Sequence, residues 1–139
     1  DAITDYAVKI LAKQKKQQQP FFIYVAYTAP HWPLQALPED IAKYKNKYNI
    51  GWDSLRILRY NKLVNLGIID KQTKLSPGDT EVKVWNDLSE KTQKEMIRKM
   101  AVYAAQVDRM DQGIGKILSQ LKLIGKEENT IVIFLSDNG

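Results

Sequence analysis

Two short runs constrain this chain more than anything else in it. Phe21-Phe22-Ile23-Tyr24-Val25-Ala26-Tyr27 and Thr130-Ile131-Val132-Ile133-Phe134-Leu135 are rich in aromatic and β-branched residues, and each is apolar on both alternating faces. Such residues favour extended backbone, and a run with no polar face reads as a strand covered on both sides, the habit of parallel and mixed sheets. Each run ends in a polar cluster. The first gives way to Thr28-Ala29-Pro30-His31-Trp32-Pro33, where two prolines so close together forbid a ladder or a helix and require a loop. The second gives way to Ser136-Asp137-Asn138-Gly139.

Helices are predicted between and around them. Over about 4–16, Tyr6, Ala7, Ile10 and Leu11 recur at helical spacing behind Thr4, a plausible N-cap. A short helix over 38–48 would place Pro38 in its first turn, with Glu39 and Asp40 complementing the dipole. Another over about 52–66 would stop at Gly67. Residues 68–87, with Pro77-Gly78 and little periodicity, read as a surface connection pinned by Val82, Val84 and Trp85. After Ser89 comes a long amphipathic helix. Met96, Met100, Ala104, Val107, Ile114, Ile117, Leu118 and Leu121 form its apolar stripe, and Lys94, Arg98, Lys99, Gln106, Arg109, Gln112, Lys116 and Gln120 its polar side. Gly113 and Gly115 each weaken it by roughly 1 kcal/mol relative to Ala, which points to close packing there, and Gly125 ends it. This order predicts an α/β fold, part of a mixed or parallel sheet flanked by helices and incomplete in itself, with residues 1–139 the centre of one domain.

Composition narrows the function classes. Hydrophobic residues make up 44% and charged residues 27% of 139, which is too apolar for a disordered chain. No apolar run approaches the roughly 18–20 residues of a membrane span, and Asp1-Ala2-Ile3-Thr4-Asp5 does not open like a signal peptide. The net charge of +5 could suit an anionic partner. Its densest basic groups, Lys13, Lys15, Lys16 and Lys43, Lys45, Lys47, read as solvated surface, the second interleaved with Tyr44 and Tyr48. No cysteine is present, so disulfides and thiolate sites are excluded, and the single histidine excludes a zinc site built on two.

If the two strands run parallel, His31 and the Asp137-Asn138 pair emerge at the same sheet edge, the edge where open α/β sheets bind ligands. Asp137 and Asn138 offer hard oxygen donors suited to Ca²⁺ or Mg²⁺, although calcium takes six or more oxygens and two make only part of a site. Plainer readings stand beside these. Asp-Asn-Gly is foremost a turn signal, and a histidine between prolines is commonly a structural loop residue. Asp108 and Asp111, three apart on the long helix, read as solvated partners of Arg109 and Lys116. Trp32 could stack on a sugar or aryl group or simply pack its loop.

Taken in order, the motifs resemble those of sulfatases. The run from Phe21 through Ala29-Pro30-His31-Trp32-Pro33-Leu34-Gln35-Ala36 is similar to the family segment carrying the second active-site histidine. Met100-Ala101-Val102-Tyr103-Ala104-Ala105-Gln106-Val107-Asp108-Arg109-Met110-Asp111 looks like the long helix before the metal strand, and Asn129 through Asp137-Asn138-Gly139 like the metal signature. The likeness is strongest to bacterial arylsulfatases of the alkaline phosphatase superfamily. It implies that Asp137 and Asn138 are two ligands of a Ca²⁺ (alternatively Mg²⁺), and that His31 contacts the sulfate ester and protonates the departing alcohol. It also implies a sulfate ester substrate, an aryl sulfate or sulfated sugar, and a periplasmic or secreted location, with no nucleic acid or membrane partner.

The pattern departs from the family at one decisive place. Sulfatases use a formylglycine made from a Cys/Ser-x-Pro-x-Arg motif; there is no cysteine here, and Ser76-Pro77-Gly78 has the wrong spacing. The family's early Asp-Asp ligands, its Lys-x-His pair and the lysine downstream of Asp-Asn-Gly also lack counterparts. The chain is therefore expected to be an internal piece of a sulfatase catalytic domain, inactive alone and prone to self-association or to partial disorder near 136–139. Two other readings remain: a phosphodiesterase or phosphonate monoester hydrolase of the same superfamily, and a non-catalytic helical module that binds polyanions.

Overall fold

The structure, a computed structural model, describes residues 1–136. Its α-helices are α1 (Ala2–Lys13), α2 (Pro38–Ala42), α3 (Gly51–Asn65) and α4 (Glu90–Leu123), with single 3-10 turns at Gln14–Lys16, Trp85–Asp87 and Glu127–Asn129. They pack as two units, one of residues 1–31 with those from 107 onward, the other of residues 32–106. Helix α4 contributes its first half to the second unit and its remainder to the first.

The first unit is organised by α1. Ala7 and Leu11, one turn apart, are buried, as are Leu121 and Ile124 at the end of α4. Thr4 does not cap the helix: it lies inside the first turn, fully covered, and its hydroxyl shares a 2.9 Å hydrogen bond with the Tyr27 hydroxyl. Both groups sit where a Cβ on Gly113 would stand, so this glycine permits the close approach that its cost in a helix suggested. Gly115 faces open space. Arg109 holds both carboxylate oxygens of Asp1 at 2.9 and 2.7 Å, and Lys126 donates to the Gln17 carbonyl at 3.0 Å.

The second unit is organised by Trp85. Its ring meets the edge of Trp52 at a centroid distance of 4.9 Å and covers Gly51, which has φ +77°. The Trp85 N–H donates to Asp53 Oδ2 at 2.8 Å, and its carbonyl accepts from Gln93 Nε2 at 2.9 Å. Helix α3 ties down the connection that follows it. Arg56 donates to the Ser76 and Pro77 carbonyls, Tyr60 to the Thr73 carbonyl, and Trp52 Nε1 to the Lys83 carbonyl. Of the three expected pins, Trp85 alone is buried; Val82 and Val84 face solvent.

Several expectations are corrected. The α/β sheet is not seen: among the described residues there is no strand, and every regular element is a helix. The physical reason lies in pairing. In 21–27 exposure alternates residue by residue, with Phe21, Ile23, Val25 and Tyr27 half-buried and Phe22, Tyr24 and Ala26 bare, the period-2 pattern of extended backbone. In 130–135 all but Thr130 are exposed. Strand character needs a ladder partner, and these two segments do not supply one to each other. Of the expected gathering of His31 with Asp137 at a sheet edge, the Asp137 half lies outside the described residues. The 38–48 helix ends at Ala42 and continues as turns through the Lys-rich stretch, where like charges crowd one another. On α4 the buried residues include Ala101, Ala104, Ala105, Gln106 and Leu121, so Ala104 and Leu121 of the expected stripe are buried, Met100, Val107 and Leu118 are exposed, and Gln106 of the expected polar side is covered.

Candidate functional site

His31 sits on a tight turn. Its backbone N–H donates to the Thr28 carbonyl at 3.1 Å, and the peptide bonds before Pro30 and Pro33 are both cis. Prolines on either side remove backbone freedom, so the imidazole is presented from a fixed frame, and the residue is exposed. The other two predicted site residues, Asp137 and Asn138, lie outside the described residues. Among the described residues no group of three His, Cys, Asp or Glu side chains gathers that could hold a metal ion.

Asp108 accepts from Gln112 Nε2 at 2.9 Å, Gln112 in turn accepts from Arg109 at 3.3 Å, and Arg109 also donates to both carboxylate oxygens of Asp1. Of the basic group at 43–47, Lys43 pairs with the deeply buried Asp40 at 2.9 Å and Lys47 stands over the Tyr44 ring at 4.7 Å. A continuous cationic strip of the kind a polyanion binder displays is therefore interrupted by local partners.

A second cluster was not anticipated as a unit. Trp32 is 63% exposed, and the Lys99 ammonium stands over its ring at 5.9 Å. Lys99 is also paired with Glu95 at 2.6 Å, and that hydrogen bond, with the lysine charge behind it, holds the Glu95 carboxyl below the usual range. Tyr103 lies one turn beyond Lys99 on α4, hence on the same face. Tyr48 comes close to Tyr103; partial burial first, and the neighbouring Tyr103 second, push its phenol above 10.0. Trp32, Tyr48, Lys99 and Tyr103 are scattered in sequence, and only the i,i+4 spacing of Lys99 and Tyr103 could have signalled the grouping.

Known proteins give this geometry a context. The sulfatase family model matches residues 1–139. An uncharacterised sulfatase of Schizosaccharomyces pombe is 42% identical over 128 residues, which are 91% of this chain and 23% of the yeast protein. An arylsulfatase of Klebsiella aerogenes is 39% identical over 127 residues, 91% of this chain and 27% of the bacterial one. Mouse iduronate 2-sulfatase is 28% identical over 143 residues, 98% and 24% of the respective chains. The chain thus spans about a quarter of the length of these curated relatives.

Proposed function

The chain belongs to the sulfatase family, and from that premise we propose that it forms part of the catalytic body of a sulfuric ester hydrolase. One observation carries the reading: the family match runs along all 139 residues and includes the turn that presents His31. Breaking the ester bond to sulfur leaves negative charge on the departing alcohol oxygen. A cationic imidazole within reach of that oxygen offsets the charge or donates a proton, an effect typically worth 10²–10⁴-fold in rate. His31 takes this role. It is the one histidine of the sequence, and its prolyl frame limits the freedom that must be lost to aim it.

Asp137 and Asn138 are the metal ligands of the proposal. A carboxylate and an amide carbonyl are hard oxygen donors that fit Ca²⁺, or Mg²⁺ as the alternative, and neither softness nor charge argues against them. Two donors fall short of a full coordination sphere, and the described residues gather no further cluster, so the remaining ligands come from other parts of the protein. A bound divalent cation supplies electrostatic neutralisation of the sulfate oxygens. The nucleophile, a formylglycine, likewise comes from outside these residues, since no cysteine and no Ser-x-Pro-x-Arg occur here. The 139-residue chain alone therefore turns over no sulfate ester. The substrate is an aryl sulfate or a sulfated sugar, and the protein works in the periplasm or outside the cell. No helix among the described residues is long and apolar enough to cross a membrane.

The test uses the enzyme encoded by the complete reading frame. With 4-nitrophenyl sulfate, His31→Ala is expected to lower kcat by 10²-fold or more, and Asp137→Ala to abolish dependence on added Ca²⁺. Faster turnover of 4-nitrophenyl phosphate than of the sulfate, or an unchanged rate in His31→Ala, would overturn the reading.

A further inference from the structure

Thr4 is an unusual residue to bury inside α1. It is 3% exposed and caps nothing, and a hydroxyl taken out of water needs a partner to offset its lost hydration. That partner is the Tyr27 hydroxyl at 2.9 Å, brought in at the end of the 21–27 segment. Gly113 of α4 completes the contact. A Cβ there would overlap the Thr4 hydroxyl and crowd that of Tyr27, so α4 carries a glycine where any side chain would force the pair apart. Three stretches of one packing unit thus meet at a single hydrogen bond.

The bond stands next to the turn that presents His31. Tyr27 is followed directly by Thr28, whose carbonyl accepts from the His31 N–H at 3.1 Å. Little else upstream fixes the chain. Among the described residues no backbone hydrogen bond ties 21–27 to a neighbour, and an open cleft lined by Ile3, Tyr6 and Ile10 of α1 and by Ile23, Tyr24 and Val25 runs along the segment. Apolar contact is non-directional and tolerates sliding, whereas a hydrogen bond has a preferred length and angle. We propose that Thr4, Tyr27 and Gly113 are positioning residues, a clasp that fixes the start of the turn and through it the place of the His31 imidazole. That the imidazole serves the departing oxygen of a sulfate ester rests on the sulfatase reading; the clasp itself does not.

The test uses the enzyme encoded by the complete reading frame, with 4-nitrophenyl sulfate. Thr4→Val and Tyr27→Phe each remove one hydroxyl and keep the bulk. Each is expected to lower kcat about 3- to 30-fold with KM within about twofold, since misplacing a reacting group by an ångström costs up to about 10²-fold. In a His31→Ala background, Tyr27→Phe should cost less than about twofold further, because the group it positions is gone; a merely structural role would add its full effect there. The Thr4→Val/Tyr27→Phe double variant strands no hydroxyl, so its thermal midpoint should return toward wild type while kcat stays as low as in the single variants. Thr4→Ser keeps the hydroxyl and should hold kcat within about twofold of wild type. Gly113→Ala keeps both hydroxyls but drives a methyl group against them and should repeat the loss; Gly115→Ala, facing open space, should not. Wild-type kcat in Thr4→Val and Tyr27→Phe, a full further loss from Tyr27→Phe in the His31→Ala background, or kcat that recovers with the thermal midpoint in the double variant would each overturn the inference. The two readings fail separately. An enzyme that takes 4-nitrophenyl phosphate faster than the sulfate, yet loses kcat on the phosphate in Tyr27→Phe only while His31 is present, gives up the sulfatase assignment and keeps the clasp. A sulfatase slowed by His31→Ala and indifferent to Tyr27→Phe gives up the clasp alone.

Discussion

Trp85 and Trp32 belong to the same packing unit and are the same residue type, yet they lead opposite lives. Trp85 is 8% exposed and held at every level: its N–H by Asp53, its carbonyl by Gln93, its ring by the edge of Trp52 and the bare backbone of Gly51. Trp32 is 63% exposed, with a lysine over its ring. Hydrophobicity alone would bury both. What separates them is how far the ring is covered: the Trp85 indole is enclosed and contributes stability, while much of Trp32 remains at the surface.

The largest expected effect tests that division directly. Trp85→Ala removes a buried indole and leaves a cavity beside Trp52, a change that costs about 3–5 kcal/mol in most cores. Urea unfolding should show its midpoint falling by about 1 M or more, given a slope of roughly 1–3 kcal/mol/M. Trp32→Ala, at an exposed position, should stay within about 0.5 kcal/mol of wild type. Similar losses in the two variants would erase the comparison, because Trp32 would then be a structural residue.

A somewhat smaller effect sharpens the picture of how Trp85 is seated. Gly51 has φ +77°, and a Cβ there would run into the indole of Trp85. Gly51→Ala therefore combines a left-handed backbone with overpacking, about 2–4 kcal/mol together. The same substitution at Gly115, where the space is open, should be neutral or stabilising by up to about 1 kcal/mol. Differential scanning calorimetry of the two variants separates them by the sign of the Tm change.

These particulars also show where the sequence was legible. Helices α1, α3 and α4, the left-handed glycines at 67 and 125, and the prolyl loop around His31 follow from local signals: periodicity, caps and the missing proline N–H. Gly113 was readable as a close approach, but Gly115, two residues on, carries the same propensity penalty and has open space where a Cβ would stand. The sheet was the main error. Segments 21–27 and 130–135 have strand composition, and the first alternates in exposure, but a ladder belongs to two segments and cannot be read from one. The packed face of α4 was legible in part: Ala104 and Leu121 of the expected stripe are buried, but Ala101 and Ala105, which small side chains let neighbours approach, are buried outside it, and Met100, Val107 and Leu118 are exposed. His31 was legible as a singled-out residue. The Trp32–Lys99–Tyr103–Tyr48 grouping was not, since three chain segments must fold before those residues meet.

The smallest expected effect concerns the charge beneath that grouping. Glu95 accepts a 2.6 Å hydrogen bond from Lys99, and this bond, with the coulombic attraction that accompanies it, lowers its pKa below the ordinary 4.5. A carboxyl whose folded value is depressed stabilises the fold above its unfolded pKa and loses that contribution as pH falls through the folded value. The loss therefore lies below pH 4.5, and the pair is intact at neutral pH. Both partners are solvated, so Glu95→Gln should leave the urea midpoint at pH 7 within error of wild type. The titration itself remains measurable. Carboxyl ¹³C shifts should give Glu95 a midpoint below 4.5 in low salt, moving upward in Lys99→Met and in 1 M NaCl, where the Debye length shrinks to about 3 Å. Acidification through that midpoint should also move the Trp32 indole signal, because it releases the lysine that stands over the ring, while Trp85 stays still. A Trp32 signal indifferent to the state of Glu95 would mean that Lys99 does not act on the indole, and the two tryptophans would differ in exposure alone.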